Sequence, residues 1–469
     1  MPIFLTLLMM TTLQTAGNIA RPAYSHYRIA VMPTVGFVSL GCPKALVDSE
    51  RILTGLARAG IETVDGDADV TVVNTCGFID AAREESFATI EALLDAGGEV
   101  VITGCLGKEM DLLRTRFPRI RHISGPAEPD RVVTAVSALA PADGEVEYLM
   151  GPAGIKLTPP HYAYLKISEG CNHHCTFCII PGLRGRLRSR RIDEVLAEAD
   201  ALAAQGVKEA LVIAQDTSAY GLDLRYAPAR VGDRELATDI RTLSEALGER
   251  FPWVRLHYVY PYPHVDELVP LMAEGRLLPY LDMPLQHASP AILKAMRRPA
   301  AVERMLERLA RWRELCPDLA IRSTFIVGFP GETDDDFGML LDFLEDARLD
   351  RVGCFTYSAV AGAAANALAD HVPERDKLDR QEALMEVQAA ISADKLQQLV
   401  GRRMRVLVDA VEGEVTIART VRDAPDVDGV VVIQDARGLV PGDFAWVEVT
   451  GADDHDLEAR QIGRPVQVG

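Results

Sequence analysis

From Val35 onward, apolar residues come in short β-rich runs separated by longer stretches of helical periodicity, the pattern of an α/β layer on a parallel sheet. VGFVSL runs into Gly41 and Cys42, VTVVNT into Cys76 and Gly77, and EVVITG into Cys105, with helix-like segments such as SERILTGLARAG and EESFATIEALLDAG between them. A parallel sheet puts the carboxyl ends of all its strands on one rim, so this order predicts that the three cysteines emerge on the same side. The Gly- and Pro-rich stretch MGPAGIKLTPPH reads as a linker. A second alternating block follows, with strand candidates AYLKIS, EALVIAQ, VRLHYVY, YLDMPL, STFIVGF and VGCFTYS and helical stretches such as IDEVLAEADALAAQG and VERMLERLARWRELC. Six βα units with one rim bearing the chemistry predict an open (β/α) barrel. Beyond a long helical stretch from Arg375 to Leu399, dense Val, Gly and Asp in RMRVLVDAV, DGVVVI and FAWVEVT predict a small antiparallel β-barrel.

These breaks divide the chain into an arm at 1–33, an N-terminal α/β domain at 34–149, a linker at 150–161, a (β/α) domain at 162–388 and a β-barrel at 389–466. The arm is read as flexible or as a mis-assigned start, because Met32 precedes the first clear strand. Its apolar run from Ile3 to Met10 is too short for a bilayer and has no basic region before it. No other stretch has the length and apolarity of a membrane span.

A chain of 469 residues, 48% hydrophobic and 25% charged, is of ordinary globular composition, which excludes collagen-like, disordered and small disulfide-stapled classes. Its 49 basic and 68 acidic residues give a net charge of −19, so a general basic surface for nucleic acid is not expected and a basic partner would be attracted. Eight cysteines are too few for a disulfide framework in a chain this long, which points to metal or redox chemistry in a reducing compartment, the cytoplasm.

Three of the cysteines, Cys171, Cys175 and Cys178, stand as C-x3-C-x2-C in EGCNHHCTFC, directly after the first strand of the second block. Three thiolates this close can hold three irons of a cubane cluster and leave the fourth iron open to an outside ligand. Zinc wants four closed ligands; His173 or His174 could supply the fourth, but inside so short a loop the tetrahedron would be strained. Cys42, Cys76 and Cys105 at equivalent strand ends suggest a second three-thiolate site, while Cys316 and Cys354 lack such company and read as packing residues.

The triplet, with aromatic Phe177 before its last cysteine, resembles the signature of the radical S-adenosylmethionine (AdoMet) superfamily. That resemblance implies AdoMet chelated by the open iron, reductive cleavage to a deoxyadenosyl radical, and Phe177 beside the adenine. The competing reading of Phe177 is plain packing. With both cysteine sets, nearly the whole chain from Val35 resembles the methylthiotransferases, which join an N-terminal cluster domain, a radical AdoMet barrel and a C-terminal TRAM β-barrel. The words LGCPKALVDSE, RGRLRSR, AQDTSAYG, HYVYPYPH, YLDMPLQHAS, IRSTFIVGFPGET and DAPDVDG are similar to the branch that modifies an aspartate of small-subunit ribosomal protein twelve. Ala45, Ala359 and Ala361 depart from that branch's wording and leave both cysteine sets intact.

The resemblance implies two 4Fe-4S clusters, on Cys42/Cys76/Cys105 and on Cys171/Cys175/Cys178, and two AdoMet consumed per methylthio group placed on the aspartate β-carbon. It also implies an electron donor protein and a sulfur donor, and no membrane partner. Gln215 and Asp216 end the second barrel strand on the rim where the polar groups of AdoMet should lie, against the plainer reading of a strand-end cap. The run Arg184, Arg186, Arg188, Arg190 and Arg191 would suit a carboxylate substrate, or would be salt-bridged to the acidic surface. From Val400 to the end, eight Lys or Arg against thirteen Asp or Glu give −5, so acids such as Asp423, Asp426 and Asp428 are expected to steer a basic protein rather than a polyanion. Two rival readings are a tRNA adenosine methylthiotransferase and, in another class, a non-catalytic iron-sulfur protein that binds ribosomes.

Overall fold

Val72 and Val73, like Val101 and Ile102, are sequence neighbours on strands, so their side chains go to opposite faces of one sheet. Both faces are covered, which is why these strands are continuous apolar runs rather than alternating ones. The computed structural model describes residues 33–141, 154–299 and 301–463, so the arm before Pro33 and the first part of the linker lie outside the described residues. The chain falls into two compact units that divide near residue 149.

In the first unit β1 (Thr34–Ser39), β2 (Glu62–Thr63), β3 (Val70–Thr75), β4 (Val100–Gly104) and β5 (His122–Ile123) form a parallel sheet in the order β2-β1-β3-β4-β5. Helices α1 (Pro43–Arg58) and α4 (Pro129–Leu139) cover one face through Ile52, Leu56, Val132 and Val136, packed on Val35, Val70, Val72 and Val101. Helices α2 (Asp80–Asp95) and α3 (Met110–Arg116) cover the other through Phe87, Ile90, Leu94 and Leu113, packed on Val73, Val100 and Ile102.

The second unit begins with six parallel strands, β6 (Tyr162–Lys166), β7 (Glu209–Ile213), β8 (Trp253–Leu256), β9 (Tyr280–Asp282), β10 (Ala320–Val327) and β11 (Arg351–Thr356), hydrogen-bonded in chain order. The sheet does not close, as six βα units predict. Its helices are α5 (Ile180–Arg184), α6 (Ile192–Ala204), α7 (Ile240–Gly248), α8 (Leu268–Ala273), α9 (Pro290–Ala295), α10 (Val302–Leu315), α11 (Asp334–Ala347) and α12 (Glu374–Gln397). All six strand candidates run past the real strands, VRLHYVY and YLDMPL the furthest. VRLHYVY ends as a strand at Leu256 and YLDMPL at Asp282. Left-handed Tyr258 (φ 59°) and Gln286 (φ 75°) break the extended run, and Pro261, Pro263 and Pro284 cannot donate to a ladder.

Helix α12 passes through residue 388, where the sequence suggested a boundary, and the C-terminal barrel starts only at Arg403. Strands β12 (Arg403–Glu412), β13 (Val415–Thr420), β14 (Val431–Gln434), β15 (Phe444–Ala452) and β16 (Leu457–Gln461) close in the order β12-β13-β14-β16-β15. All pairs are antiparallel except β14 with β16, which is parallel.

The turn after β13 meets the residues that start the (β/α) strands, and the contact is ionic. Glu209, the first residue of β7 and fully buried, lies 2.8 Å from Arg255 Nε and 2.8 Å from Arg419 Nη1. Arg322 joins Asp282 (3.0 Å) to Asp428 (3.3 Å), Tyr280 donates to Asp428 at 2.7 Å, and Arg351 donates to Asp423 at 2.6 Å. Asp423 and Asp428 are therefore buried partners of arginines, and the expectation that they steer a basic protein from the surface is overturned. Only Asp426 of the three stays exposed, its carboxylate 3.5 Å from the Tyr162 hydroxyl.

Candidate functional site

In the first unit, β1, β3 and β4 are adjacent and in register, with Ser39 opposite Asn74 and Thr75 opposite Gly104. Cys42 caps α1 just beyond β1, Cys76 directly follows β3, and Cys105 directly follows β4. Sheet order thus delivers the three cysteines to neighbouring strand ends, as predicted. Two glycines let those ends abut. A Cβ on Gly41 (φ 100°) would stand 3.2 Å from Cys76 Cβ and 3.5 Å from its Sγ, and one on Gly77 would stand 2.9 Å from the Leu106 amide nitrogen. Ser86 Oγ donates to the Cys76 carbonyl (3.0 Å) and accepts from its amide (3.2 Å), while Asn74 Nδ2 donates to the Ala45 carbonyl (2.8 Å), tying β3 to the first turn of α1.

In the second unit the Cys171–Cys178 loop leaves β6 and is held from several sides. Cys171 N–H donates to the Gly185 carbonyl (3.1 Å), Cys178 N–H to the Cys175 carbonyl (3.1 Å), and Leu187 N–H to Asn172 Oδ1 (3.2 Å). Two sulfurs accept backbone amides, Cys171 from His173 at 3.4 Å and Cys178 from Ile180 at 3.5 Å. Burial pushes both of these thiols up to about 11, as does the nearby Cys175; the amide donors and Arg298 oppose the rise. The same site that penalises lone thiolates becomes favourable when positive metal faces the sulfurs.

The histidine rings do not turn to the thiols. His173 stacks on Tyr260 (4.0 Å, 18°) and sets Nε2 2.8 Å from Asp216 Oδ2 and 3.1 Å from the Tyr262 hydroxyl, and His174 is exposed. Among the described residues no three His, Cys, Asp or Glu side chains are gathered for a single metal ion. Cubane ligands sit on separate irons rather than around one ion.

Phe177 packs against the cluster of Ile292, Met296, Phe329, Tyr357 and Ala365, which is the packing alternative weighed for it. Gln215 Nε2 donates to Glu169 Oε1 at 2.9 Å, and its buried Oε1 has no hydrogen-bond partner among the described residues. Glu169 is gripped by Lys166 and Arg184, each at 2.9 Å; burial would raise its carboxyl, but the two cations outweigh it and hold it down at about 2. Asp216 serves the turn after β7, accepting from the Ala219 amide at 3.2 Å and the Ser218 hydroxyl at 2.8 Å. The arginine run divides. Arg184, Arg190 and Arg191 pair with Glu169, Glu198 and Asp193, whereas Arg186 and Arg188 are exposed on the segment that pairs with the cysteine loop. Cys316 and Cys354 are buried core residues.

Sequence reading missed Glu169, Tyr260, Tyr262 and Arg298, and weighed His173 only as a zinc ligand. The alternating Tyr and Pro of HYVYPYPH was a visible signal; nothing local marked Arg298.

Family models match the three parts in turn: "Uncharacterized protein family UPF0004" over residues 34–125, "Radical SAM superfamily" over 165–344 and "TRAM domain" over 400–462. A relative from Alkalilimnicola ehrlichii named "Ribosomal protein uS12 methylthiotransferase RimO" is 60% identical over 92% of this chain and 98% of its own. The chain belongs to the RimO family of methylthiotransferases. RimO relatives of Acidithiobacillus ferrooxidans (60%, 91% of this chain and 97% of theirs) and Saccharophagus degradans (57%, 90% and 90%) agree. As a RimO-family radical AdoMet transferase, the chain takes a 4Fe-4S cluster and AdoMet as cofactors. Among solved structures, the coproporphyrinogen III oxidase of Escherichia coli, a radical SAM enzyme, is 17% identical with a TM-score of 0.38 over 51% of this chain and 55% of its own, too slight a likeness to add to the argument.

Proposed function

We propose that this enzyme places a methylthio group on the β-carbon of an aspartate of ribosomal protein uS12, using two 4Fe-4S clusters and two AdoMet. The observation that carries the reading is the pair of cysteine triads, each on strand-end loops of its own parallel sheet, in a chain whose RimO relatives are named for uS12. Cys171, Cys175 and Cys178 would hold one cluster, and the amide N–H groups on two of their sulfurs suit thiolate ligands. Cys42, Cys76 and Cys105 would hold the other. When bound, the cofactors supply a carbon-centred radical at one triad and a methylated sulfur at the other.

The chain's own residues bind and orient. Glu169, fixed by two cations, aims the Gln215 amide so that its open oxygen can accept from the amino group of AdoMet. Phe177 forms part of an apolar wall on the same rim. Arg186 and Arg188, the exposed members of the arginine run, are placed to receive the substrate carboxylate. An electron donor protein and a sulfur donor complete the partners, and a ribosomal substrate places the enzyme in the cytoplasm. None of the described helices is long and apolar enough to cross a membrane.

Anaerobically reconstituted enzyme should carry about eight irons, and replacing Cys171, Cys175 and Cys178 by Ala should leave about four. Incubated with uS12, AdoMet, a reductant and sulfide, it should add about 46 Da to one aspartate peptide, the mass of one methylthio group less a hydrogen. The same gain found on tRNA adenosine and never on uS12 would refute the substrate assignment.

A further inference from the structure

Gly353 stands inside β11, and the ordinary reasons for a strand glycine do not hold there. Its φ is not left-handed, and the register with β10 runs unbroken from Arg322 opposite Arg351 to Val327 opposite Thr356, so it makes neither a turn nor a bulge. No neighbouring backbone crowds it: among the described residues a Cβ on Gly353 would find one heavy atom within 4 Å, Thr324 Oγ1 at 3.9 Å. A strand-interior glycine gives up packing and costs conformational entropy, and the reason that remains for keeping one is the close approach of a ligand.

The missing side chain belongs to the inner wall of the (β/α) sheet. Phe325, Val327 and Cys354 go to the helix-covered core, so by alternation Thr324, Ile326, Gly353 and Phe355 share the opposite face, Thr324 beside Gly353 and Ile326 beside Phe355. Below the gap, Arg322 and Arg351 are held by Asp428 and Asp423, which closes its floor. Above it, Phe355 is 58% exposed although it lies within a sheet, and Ile326 packs on the cluster that also receives Phe177 of the cysteine loop. The chain beyond β11 returns to that loop, the Ala365 amide donating to the Thr176 carbonyl at 2.8 Å. The gap is thus walled by an exposed phenyl ring and a threonine hydroxyl, on the side of the Cys171–Cys178 loop. AdoMet, with its charged amino and carboxylate groups, ribose hydroxyls and adenine, needs more polar partners than one hydroxyl. A polypeptide segment alternates amides with apolar carbon, and a hydroxyl can donate to or accept from such an amide group.

We propose that Gly353, Thr324 and Phe355 form the seat for the uS12 segment that carries the target aspartate, the absent Cβ at position 353 leaving the room it occupies. The proposal rests on the uS12 reading above and names residues that would hold that substrate. Gly353→Val adds a β-favouring side chain where a Cβ has room, so the fold should accept it. In reconstituted full-length enzyme it should lower kcat/KM for uS12 about a hundredfold and keep the KM for AdoMet within about twofold. Gly353→Ala should show a smaller loss in the same direction. Phe355→Ala should raise the deoxyadenosine released per methylthio group placed by about tenfold, because an unseated substrate leaves the radical to other hydrogen donors. It decides the matter if Gly353→Val fails to hold iron. AdoMet binding is followed by the AdoMet-responsive signal, the EPR signal of the reduced enzyme that changes when AdoMet is added, and both variants should keep it. An unchanged kcat/KM in Gly353→Val, or in its place an unchanged ratio in Phe355→Ala, would overturn the proposal. So would a KM for AdoMet raised as much as that for uS12, or loss of the AdoMet-responsive signal with iron retained, either of which would assign the wall to AdoMet. A wild-type enzyme that modifies tRNA and never uS12 would refute the underlying reading instead.

Discussion

Glu209 is a carboxylate with no access to solvent, and its state is decided by two arginines from different parts of the chain, Arg255 from β8 and Arg419 from β13. Burial by itself would push its carboxyl up; the two guanidinium charges outweigh that and hold it below the ordinary range. Glu209→Gln removes the anion and leaves two buried cations uncompensated, so it should cost about 3–5 kcal/mol, read from the urea midpoint at unchanged slope. Gly41 decides a different contact. With φ at 100° and the Cys76 side chain 3.2 Å from where a Cβ would be, Gly41→Ala has to part the first two cysteine loops. Reconstituted iron should fall from about eight to about four per chain in that variant, with the AdoMet-responsive signal kept. Iron that stays near eight would show that the two loops need not touch.

Single elements follow local rules where the sequence is explicit. Helix α11 starts at a capping box in which Thr333 Oγ1 accepts from the Asp336 amide (3.2 Å) and Asp336 accepts from the Thr333 amide (3.0 Å). Thr333→Ala should therefore destabilise the enzyme by about 1 kcal/mol, measured by chemical denaturation, with iron content unchanged. Helix α12 shows the opposite case. The boundary expected at residue 388 falls inside it, because an unbroken helix with Leu384, Gln388, Ile391 and Leu396 all buried carries the chain from one domain to the next. The partner of the helix face changes along its length, Leu384 and Ile391 packing in the (β/α) core and Leu396 in the barrel core, with no end of the helix between them.

At the scale of the molecule, the C-terminal barrel is tied to the strand starts of the (β/α) sheet by buried charge pairs, and its acids act there. Asp423→Lys or Asp428→Lys sets a second cation against Arg351 or Arg322 and should lower the melting temperature by many degrees, at high salt as well as low, because buried pairs are little screened. A pure loss of substrate on-rate in a fully stable variant would contradict this. Acid should weaken the same unit. Glu169, held at about 2 against an ordinary 4.5, contributes stability that is fully present above about 4.5 and lost as the pH falls toward 2, and Glu209 and Asp423 are depressed in the same direction. The melting temperature should be flat from pH 7 to 5 and fall below about 4.5.

The sequence by itself determined the three-part order of the chain, the parallel direction of the strands in its two α/β sheets and the two cysteine triads. Each of these follows from local pattern: apolar runs of strand length, glycine at strand ends, and three thiols within one loop or at equivalent points of successive βα units. Tertiary structure alone decided which charges are buried and with whom. Asp428 meets Arg322 across 106 positions of sequence, Glu209 meets Arg419 across 210, and Arg298 reaches the cysteine loop through Tyr260. An isolated Asp or Arg reads as a surface residue because burying a lone charge is costly, and the partner that offsets the cost is placed by the fold, at a distance no local pattern spans.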